Sequence, residues 1–197
     1  MAKLYFYFAS MNAGKSSTLL QTAFNYGERG MRVSLWTAAV DNRPAFGAIN
    51  SRIGLTSDAH RFTPETDVAA RVREEAAGRG PADPKLACVL VDEAQFLTRD
   101  QVWQLARLTD RHDIPVICYG LRTDFQGQLW SGSAALLGIA DKLVEMKAVC
   151  HCGRKATMNQ RVDDTGEPVT HGAQTEIGGN DRYVAMCRKH FCEALAG

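Results

Sequence analysis

Residues 9–16 near the start of the chain, A-S-M-N-A-G-K-S, have the spacing of a phosphate-binding loop. They follow an apolar stretch at 3–8 that predicts a buried strand, and they precede residues 17–29, whose apolar side chains recur at helical spacing. In this setting, backbone N–H groups and the positive end of a helix bind phosphate oxygens. Lys15 would reach the outer phosphates, and Ser16 would ligate Mg²⁺. The alternative is a chance Gly-Lys-Ser at the start of a helix.

The first position of this phosphate-binding loop departs from the usual pattern. Glycine is expected there, and Ala9 takes its place. A methyl group is tolerated at that position if the residue keeps a negative φ, but the match to the pattern alone is then weaker.

An acidic pair follows a continuous apolar run. Residues 86–91, L-A-C-V-L-V, predict a strand buried on both faces, and Asp92 and Glu93 come directly after it. An acid at the carboxyl end of such a strand is typical of sites that hold Mg²⁺ beside a triphosphate. Asp92 would hold the ion, and Glu93 would lie near the reacting phosphate. The alternative is two solvated acids in a strand-to-helix turn.

Two clusters of soft metal ligands lie near the end of the chain, at 150–152 and 187–192. Thiols and imidazoles in a reduced protein favour a structural Zn²⁺ over disulfides. The predicted ligands are Cys150, Cys152, Cys187 and His190. His151 and Cys192 are alternative ligands, and unconnected buried thiols are the alternative to a metal site. The polar, glycine-rich segment 158–183 predicts a loop that the metal would anchor at both ends, free to fold over a ligand.

The remaining elements predict the fold that positions these residues. Further strands are expected at 32–37, 114–119 and 142–147, with helices at 66–77, after Thr98 and at 133–139. Residues 38–57 predict a long irregular connector, and Arg122 and Phe125 lie in a loop at 120–127 that could face a ligand. The order predicts an α/β, P-loop NTPase-like domain at 1–148, with a mostly parallel sheet flanked by helices, and a small zinc-binding lid domain at 149–197.

Composition limits the classes of function. The 197 residues carry 23 basic and 22 acidic side chains, which argues against a protein whose main partner is nucleic acid or an anionic membrane. Apolar runs are too short to span a bilayer. Because the first predicted strand begins at residue 3, we expect no signal peptide and a cytoplasmic protein.

The chemistry depends on what accepts the phosphoryl group. If water attacks, the protein is an ATPase or switch whose zinc lobe binds a partner. If a substrate hydroxyl attacks, it is a kinase, with Glu93 as base and Lys15 with Arg43 or Arg122 supplying positive charge. The segment 158–183 lacks a basic stripe, which disfavours a nucleic-acid-binding lobe.

Four blocks resemble type II thymidine kinases of the bacterial kind: residues 8–16, 91–96, 119–125 and 177–190. They occur in the family's order, and the resemblance covers essentially the whole chain. It implies transfer of the γ-phosphoryl of ATP to the 5′-hydroxyl of thymidine or deoxyuridine, with Glu93 as base, Mg²⁺ on the triphosphate and a structural Zn²⁺. It also implies a homotetramer that dTTP inhibits.

The resemblance also assigns site residues. Phe125 would stack on the pyrimidine, and residues 174–178 would form a lid that covers the nucleoside. The predicted ATP and magnesium residues are Ala9, Ser10, Met11, Asn12, Ala13, Gly14, Lys15, Ser16, Asp41, Arg43, Asp92 and Gln95. The predicted nucleoside residues are Met11, Phe96, Leu121, Phe125, Gln174, Thr175, Glu176, Ile177, Gly178 and Tyr183.

Overall fold

The structure, a computed structural model, describes residues 1–39, 47–77, 84–175 and 182–196. Its strands are β1 (Leu4–Ala9), β2 (Arg32–Ala38), β3 (Ala48–Asn50), β4 (Thr56–Asp58), β5 (His60–Phe62), β6 (Leu86–Val91), β7 (Val116–Leu121), β8 (Lys142–Glu145), β9 (Ala148–Val149), β10 (Lys155–Ala156), β11 (Met158–Arg161) and β12 (Tyr183–Met186). Its helices are α1 (Lys15–Glu28), α2 (Val68–Ala77), α3 (Arg99–His112), α4 (Ser131–Ile139) and α5 (Arg188–Ala196), with a 3-10 turn at Ala94–Phe96.

Six strands form the central sheet in the order β5-β2-β6-β7-β1-β8, and every neighbouring pair is parallel. The predicted α/β class and parallel sheet are therefore confirmed. In a parallel sheet, all strands end at the same edge, so the residues after β1, β6 and β7 meet there. β7 lies between β1 and β6 and separates the two strands that lead into the predicted site.

Alternating side chains of β6 fill two cores, which explains its continuous apolar run. Val89 and Val91 pack in a core with residues of α2, α3 and α4. Cys88 and Leu90 pack on the other face with Leu19 and Leu20 of α1. The helices thus cover both faces of the sheet, as predicted.

The connector at 38–57 is more regular than we predicted. Ala48–Asn50 and Thr56–Asp58 pair as an antiparallel hairpin, and β5 adds a parallel strand at the edge beside β2. These strands are three residues long, too short to show the alternation that identifies a strand from sequence. Residues 40–46 lie outside the described part of the chain.

The segment after residue 157 also differs from the predicted loop. Met158–Arg161 form β11, which pairs antiparallel with β12, and all four residues of β11 are buried. Hydrogen bonds of their polar side chains offset the cost of burial, so a polar sequence can form an interior strand here. The predicted loop at 158–183 therefore cannot include residues 158–161, which form a buried strand.

Capping residues mark the first turns of α1 and α3. Thr98 caps α3 as predicted, with a reciprocal hydrogen-bonded pair between Thr98 and Gln101. α1 begins at Lys15, two residues before the predicted start, because Gly14 takes the cap position. Within the described residues, no helix is both long and apolar enough to cross a bilayer.

Gly132 in α4 allows the close approach of this helix to the 3-10 turn that follows Glu93. A Cβ atom at this position would lie 2.5 Å from the Ala94 carbonyl oxygen and 2.7 Å from that of Leu97. Because these backbone atoms can move only at a cost in conformational energy, Gly132→Ala should lower the free energy of unfolding by about 1–3 kcal/mol, measured by urea denaturation.

Gly138→Ala is the matched control in the same helix. No atom lies within 4 Å of a Cβ at Gly138, so this variant should unfold like the wild type or be stabilised by up to about 1 kcal/mol. Equal stability of both variants would contradict the tight packing at Gly132.

Candidate active site

The backbone of the phosphate-binding loop has the conformation that its sequence predicts. Ala9 ends β1, is buried and has a negative φ, so its methyl group is accommodated in the extended strand. The chain then turns through two left-handed residues, Asn12 with φ 62° and Gly14 with φ 76°. Gly14 directly precedes α1, so the unpaired N–H groups of the first helical turn lie next to the loop.

Lys15 and Ser16 each have a defined partner. Lys15 Nζ donates a hydrogen bond to the Ser10 carbonyl oxygen at 2.9 Å, and Ser16 Oγ donates to Asp92 Oδ2 at 2.7 Å. Burial lowers the pKa of Lys15, while the nearby Glu93 and Asp92 carboxylates act in the opposite direction. Lys15 is therefore a buried ammonium group whose charge a bound polyphosphate would stabilise.

The two acids differ in environment. Asp92 is buried, and its burial, together with the charge of Glu93, raises the pKa of Asp92 above its usual range. Glu93 has a left-handed backbone with φ 52°, and its N–H donates to Asp92 Oδ1 at 3.0 Å. A divalent cation beside Asp92 would favour the ionised form of this carboxyl group.

Gln95 holds the side chain of Glu93. Its amide nitrogen donates to Glu93 Oε2, while its Oε1 accepts from the N–H of Leu121 at 3.0 Å. Gly120 in β7 leaves room for this contact, since a Cβ there would lie 2.9 Å from Gln95 Oε1. Gln95 was predicted to contact ATP or magnesium; the structure shows its amide paired with Glu93 and β7.

A cavity of about 880 Å³ lies at this edge of the sheet and joins the predicted nucleotide residues to the predicted nucleoside residues. Ala9 and Ser10 are buried and do not line it. The predicted residues that line it are Met11, Asn12, Ala13, Gly14, Lys15, Ser16, Asp92, Glu93, Gln95, Phe96, Leu121, Phe125, Gln174, Thr175 and Tyr183. Asp41, Arg43, Glu176, Ile177 and Gly178 were also predicted and lie outside the described residues.

Arg122 is placed differently from the prediction. Its guanidinium group lies 5.9 Å from the centroid of the Phe8 ring and donates to the Thr157 carbonyl oxygen at 3.3 Å. It does not line the cavity. Among the described residues, the cationic side chains that do line it are Lys15, Arg52 and Arg61. Neither Arg52 nor Arg61 was predicted as a site residue. Arg52 lies in the connector at 38–57 that was predicted to be irregular, and Arg61 follows this connector.

Aromatic rings form the other end of the cavity. Phe96 and Trp130 meet edge to face with ring centroids 5.1 Å apart. Phe125 is buried, and the guanidinium carbon of Arg161 lies 3.7 Å from the centroid of its ring. Arg161 therefore covers one face of this ring as a cation–π contact.

Side chains also anchor the segment 170–175. Arg161 donates to the carbonyl oxygens of His171 and Ala173, at 3.1 Å and 2.9 Å. Gln174 Nε2 donates to Asp124 Oδ2 at 2.8 Å. Arg161 and Asp124 were not predicted as site residues, because isolated charges are usually solvated.

Four residues near the end of the chain come together as predicted. The ligand atoms of Cys150, Cys152, Cys187 and His190 all lie within 4.8 Å of one another. His190 Nδ1 is 3.4 Å from Cys150 Sγ and 3.6 Å from Cys187 Sγ, and the sulfurs of Cys152 and Cys187 are 3.9 Å apart. Tetrahedral Zn²⁺ with three thiolates and one imidazole separates its ligand atoms by about 3.5–3.8 Å, so this set fits the ion.

The chemistry of the cluster also suits a metal. Hydrogen bonds from the Cys152 backbone and from His190 lower the pKa of Cys150 to about 5, which favours the thiolate form. Of the two alternative ligands, Cys192 is exposed and outside the cluster. The His151 ring stacks on the His190 ring with centroids 4.3 Å apart, beside the cluster rather than in it.

Comparison with known proteins agrees with this geometry. The thymidine kinase family model matches residues 2–191. A thymidine kinase from Novosphingobium aromaticivorans is 68% identical over 195 residues, covering 99% of each chain. Thymidine kinases from Zymomonas mobilis and Photobacterium profundum are 57% and 54% identical over 195 residues, covering 99% of this chain and 98% and 99% of theirs. The chain therefore belongs to the thymidine kinase family.

Proposed function

We propose that this protein transfers the γ-phosphoryl group of ATP to the 5′-hydroxyl of thymidine or deoxyuridine. The observation that carries the proposal is the Ser16–Asp92 hydrogen bond of 2.7 Å, which brings the phosphate-binding loop and the acid pair to one cavity. The carboxylate of Glu93 lines that cavity together with Lys15. Family membership supports the choice of nucleoside.

The phosphate end of the cavity would bind the nucleotide. Backbone N–H groups of residues 11–16 and the Lys15 ammonium would hold the phosphates, and Asp92 with Ser16 would hold Mg²⁺. When bound, the ion neutralises negative charge that develops on the phosphoryl oxygens. Asp41 and Arg43 are proposed, from the resemblance alone, to approach the same phosphates.

Glu93 would accept the proton of the 5′-hydroxyl as this oxygen attacks the γ-phosphorus. The hydrogen bond from Gln95 fixes one carboxylate oxygen of Glu93, which leaves the other free to take the proton. The new oxygen–phosphorus bond forms as the bond from phosphorus to the leaving ADP oxygen breaks. Lys15, which lines the same cavity as Glu93, would stabilise the negative charge that develops on the phosphoryl oxygens and on the ADP oxygen.

The opposite end of the cavity suits a polar, planar ligand. Trp130 Nε1 and Thr123 Oγ1 are buried without a hydrogen-bond partner among the described residues, and both side chains line the cavity. A nucleoside can offer acceptors to such groups, and the resemblance adds stacking of its base on Phe125. The resemblance adds Met11, Phe96, Leu121 and Tyr183 as pocket residues and 174–178 as the lid.

Further features that the resemblance implies are part of the proposal. Cys150, Cys152, Cys187 and His190 would hold a structural Zn²⁺ in a lid domain at 149–197. The protein would be a cytoplasmic homotetramer, dTTP would inhibit it, and nucleic acid and membranes would not be partners.

The direct test is ATP consumption by the purified protein with and without thymidine. The proposal predicts that ADP forms only when thymidine or deoxyuridine is present, in a one-to-one ratio with the nucleoside monophosphate. ATP hydrolysis that does not depend on a nucleoside would instead favour an ATPase with a zinc-ribbon binding lobe.

Replacing Glu93 by glutamine removes the proposed base while keeping its shape and its contact with Gln95. The turnover number should fall by roughly 10²–10⁴-fold, the usual contribution of a positioned base, with the Kd for thymidine nearly unchanged. The matched control is Glu74→Gln, an exposed acid of α2, which should have wild-type kinetics. Wild-type turnover in Glu93→Gln would exclude this role.

Removing a zinc ligand tests the metal site. The cluster packs against Ala13 of the phosphate-binding loop, so Cys187→Ser should release zinc and weaken the binding of both ATP and thymidine. Cys192→Ser, which alters a cysteine outside the cluster, should keep one zinc per chain by metal analysis. Zinc loss in Cys192→Ser but not in Cys187→Ser would refute the proposed ligand set.

A further inference from the structure

Asn159 is a buried amide whose two ends bond to opposite sides of the candidate active site. Its Oδ1 accepts a hydrogen bond from the N–H of Met11 at 2.6 Å, between residues 148 apart in the sequence. Its Nδ2 donates to the Thr123 carbonyl oxygen at 3.2 Å. Asn159 is 2% exposed and lines the cavity between these two partners.

The two partners belong to different segments that line the cavity. Met11 lies inside the phosphate-binding loop, whose backbone would hold the nucleotide, and its side chain is also among the proposed nucleoside residues. Thr123 lies between Leu121 and Phe125, which are proposed nucleoside residues. One amide group therefore connects the backbones of both segments directly.

Residues 148–187 touch the phosphate-binding loop at two other points among those that the structure describes. Ser10 Oγ donates to the Ala156 carbonyl oxygen at 3.4 Å, and Ala13 packs against the buried cluster of Ala148, Cys150, Ala156 and Cys187. These contacts hold the loop against residues 148–187 but do not reach Thr123. Asn159 is the described residue whose side chain bonds to both loops.

We propose that Asn159 is a positioning residue that couples the nucleotide and nucleoside ends of the site, an inference that rests on the proposed function. A nucleoside bound against residues 121–125 restrains Thr123, and the shared amide transmits this restraint to Met11. The nucleotide then meets a loop that has less conformational freedom to lose, so each substrate tightens the binding of the other by the same factor.

The test is the affinity of the full-length zinc-loaded protein for a non-hydrolysable ATP analogue with Mg²⁺, measured by calorimetry with and without saturating thymidine. In the wild type, thymidine should lower the Kd of the analogue by about fivefold or more. Asn159→Leu has nearly the same shape but neither hydrogen bond, and the effect of thymidine should fall below about twofold.

Two further variants separate coupling from simple loss of stability. Gln160 is the next residue on β11, and its buried amide donates to the Arg161 and Val169 carbonyl oxygens rather than to the phosphate-binding loop. Gln160→Leu removes these two hydrogen bonds. It should lower the melting temperature yet keep the wild-type ratio of the two Kd values. Asn159→Asp keeps an acceptor for the Met11 N–H but loses the donor to the Thr123 carbonyl oxygen. In this variant too, thymidine should lower the Kd of the ATP analogue by less than about twofold. Asn159→Asp therefore provides the test if Asn159→Leu does not fold.

The outcomes distinguish this inference from the proposed function. The coupling role would be overturned if Asn159→Leu or Asn159→Asp kept the wild-type ratio of the Kd values without and with thymidine. It would also be overturned if that ratio were one in the wild type. In either case, thymidine phosphorylation by the wild type would leave the proposed function intact. If the wild type neither binds nor phosphorylates thymidine, the proposed function fails and the inference fails with it.

Discussion

The hydrogen bond between Ser16 and Asp92 is the contact on which the site depends. Ser16 lies in the first turn of α1 after β1, and Asp92 directly follows β6, so the bond connects elements of two strands that are separated by β7. Gly120 in β7 has no side chain to obstruct Gln95. The result is a phosphate-binding loop and an acid pair that face one cavity, as phosphoryl transfer to a bound acceptor requires.

Residues near the end of the chain, at 148–187, also contact the phosphate-binding loop and support this arrangement. The strand β11 is polar yet buried, and its residues use their polar groups to bind backbone atoms of other segments. Asn159 bonds to the backbone of Met11, and Arg161 bonds to the carbonyl oxygens of His171 and Ala173 while covering one face of Phe125. The Cys/His cluster packs next to these contacts. The proposed zinc would therefore stabilise more than a lid, because it also supports the loop that would hold ATP.

Sequence alone predicted the parts of the site that depend on local spacing. The turn at 9–16, the acids after 86–91 and the four residues of the Cys/His cluster occupy short patterns whose chemistry is recognisable residue by residue. Asn159, Arg161 and Asp124 could not be found this way, because each acts on a partner far along the chain and leaves no periodic signal. The short strands of the 48–62 region were missed for a related reason, since three residues are too few to show alternation.

In the proposed reaction, a nucleoside hydroxyl meets Glu93 at the same place where Lys15 holds the transferred phosphate. A crystal structure with thymidine, Mg²⁺ and a non-hydrolysable ATP analogue bound together would show whether this is so. We expect the 5′-oxygen within about 3.2 Å of a Glu93 carboxylate oxygen, with the terminal phosphate against Lys15. Thymidine bound outside this cavity, or with its 5′-oxygen turned away from Glu93, would contradict it.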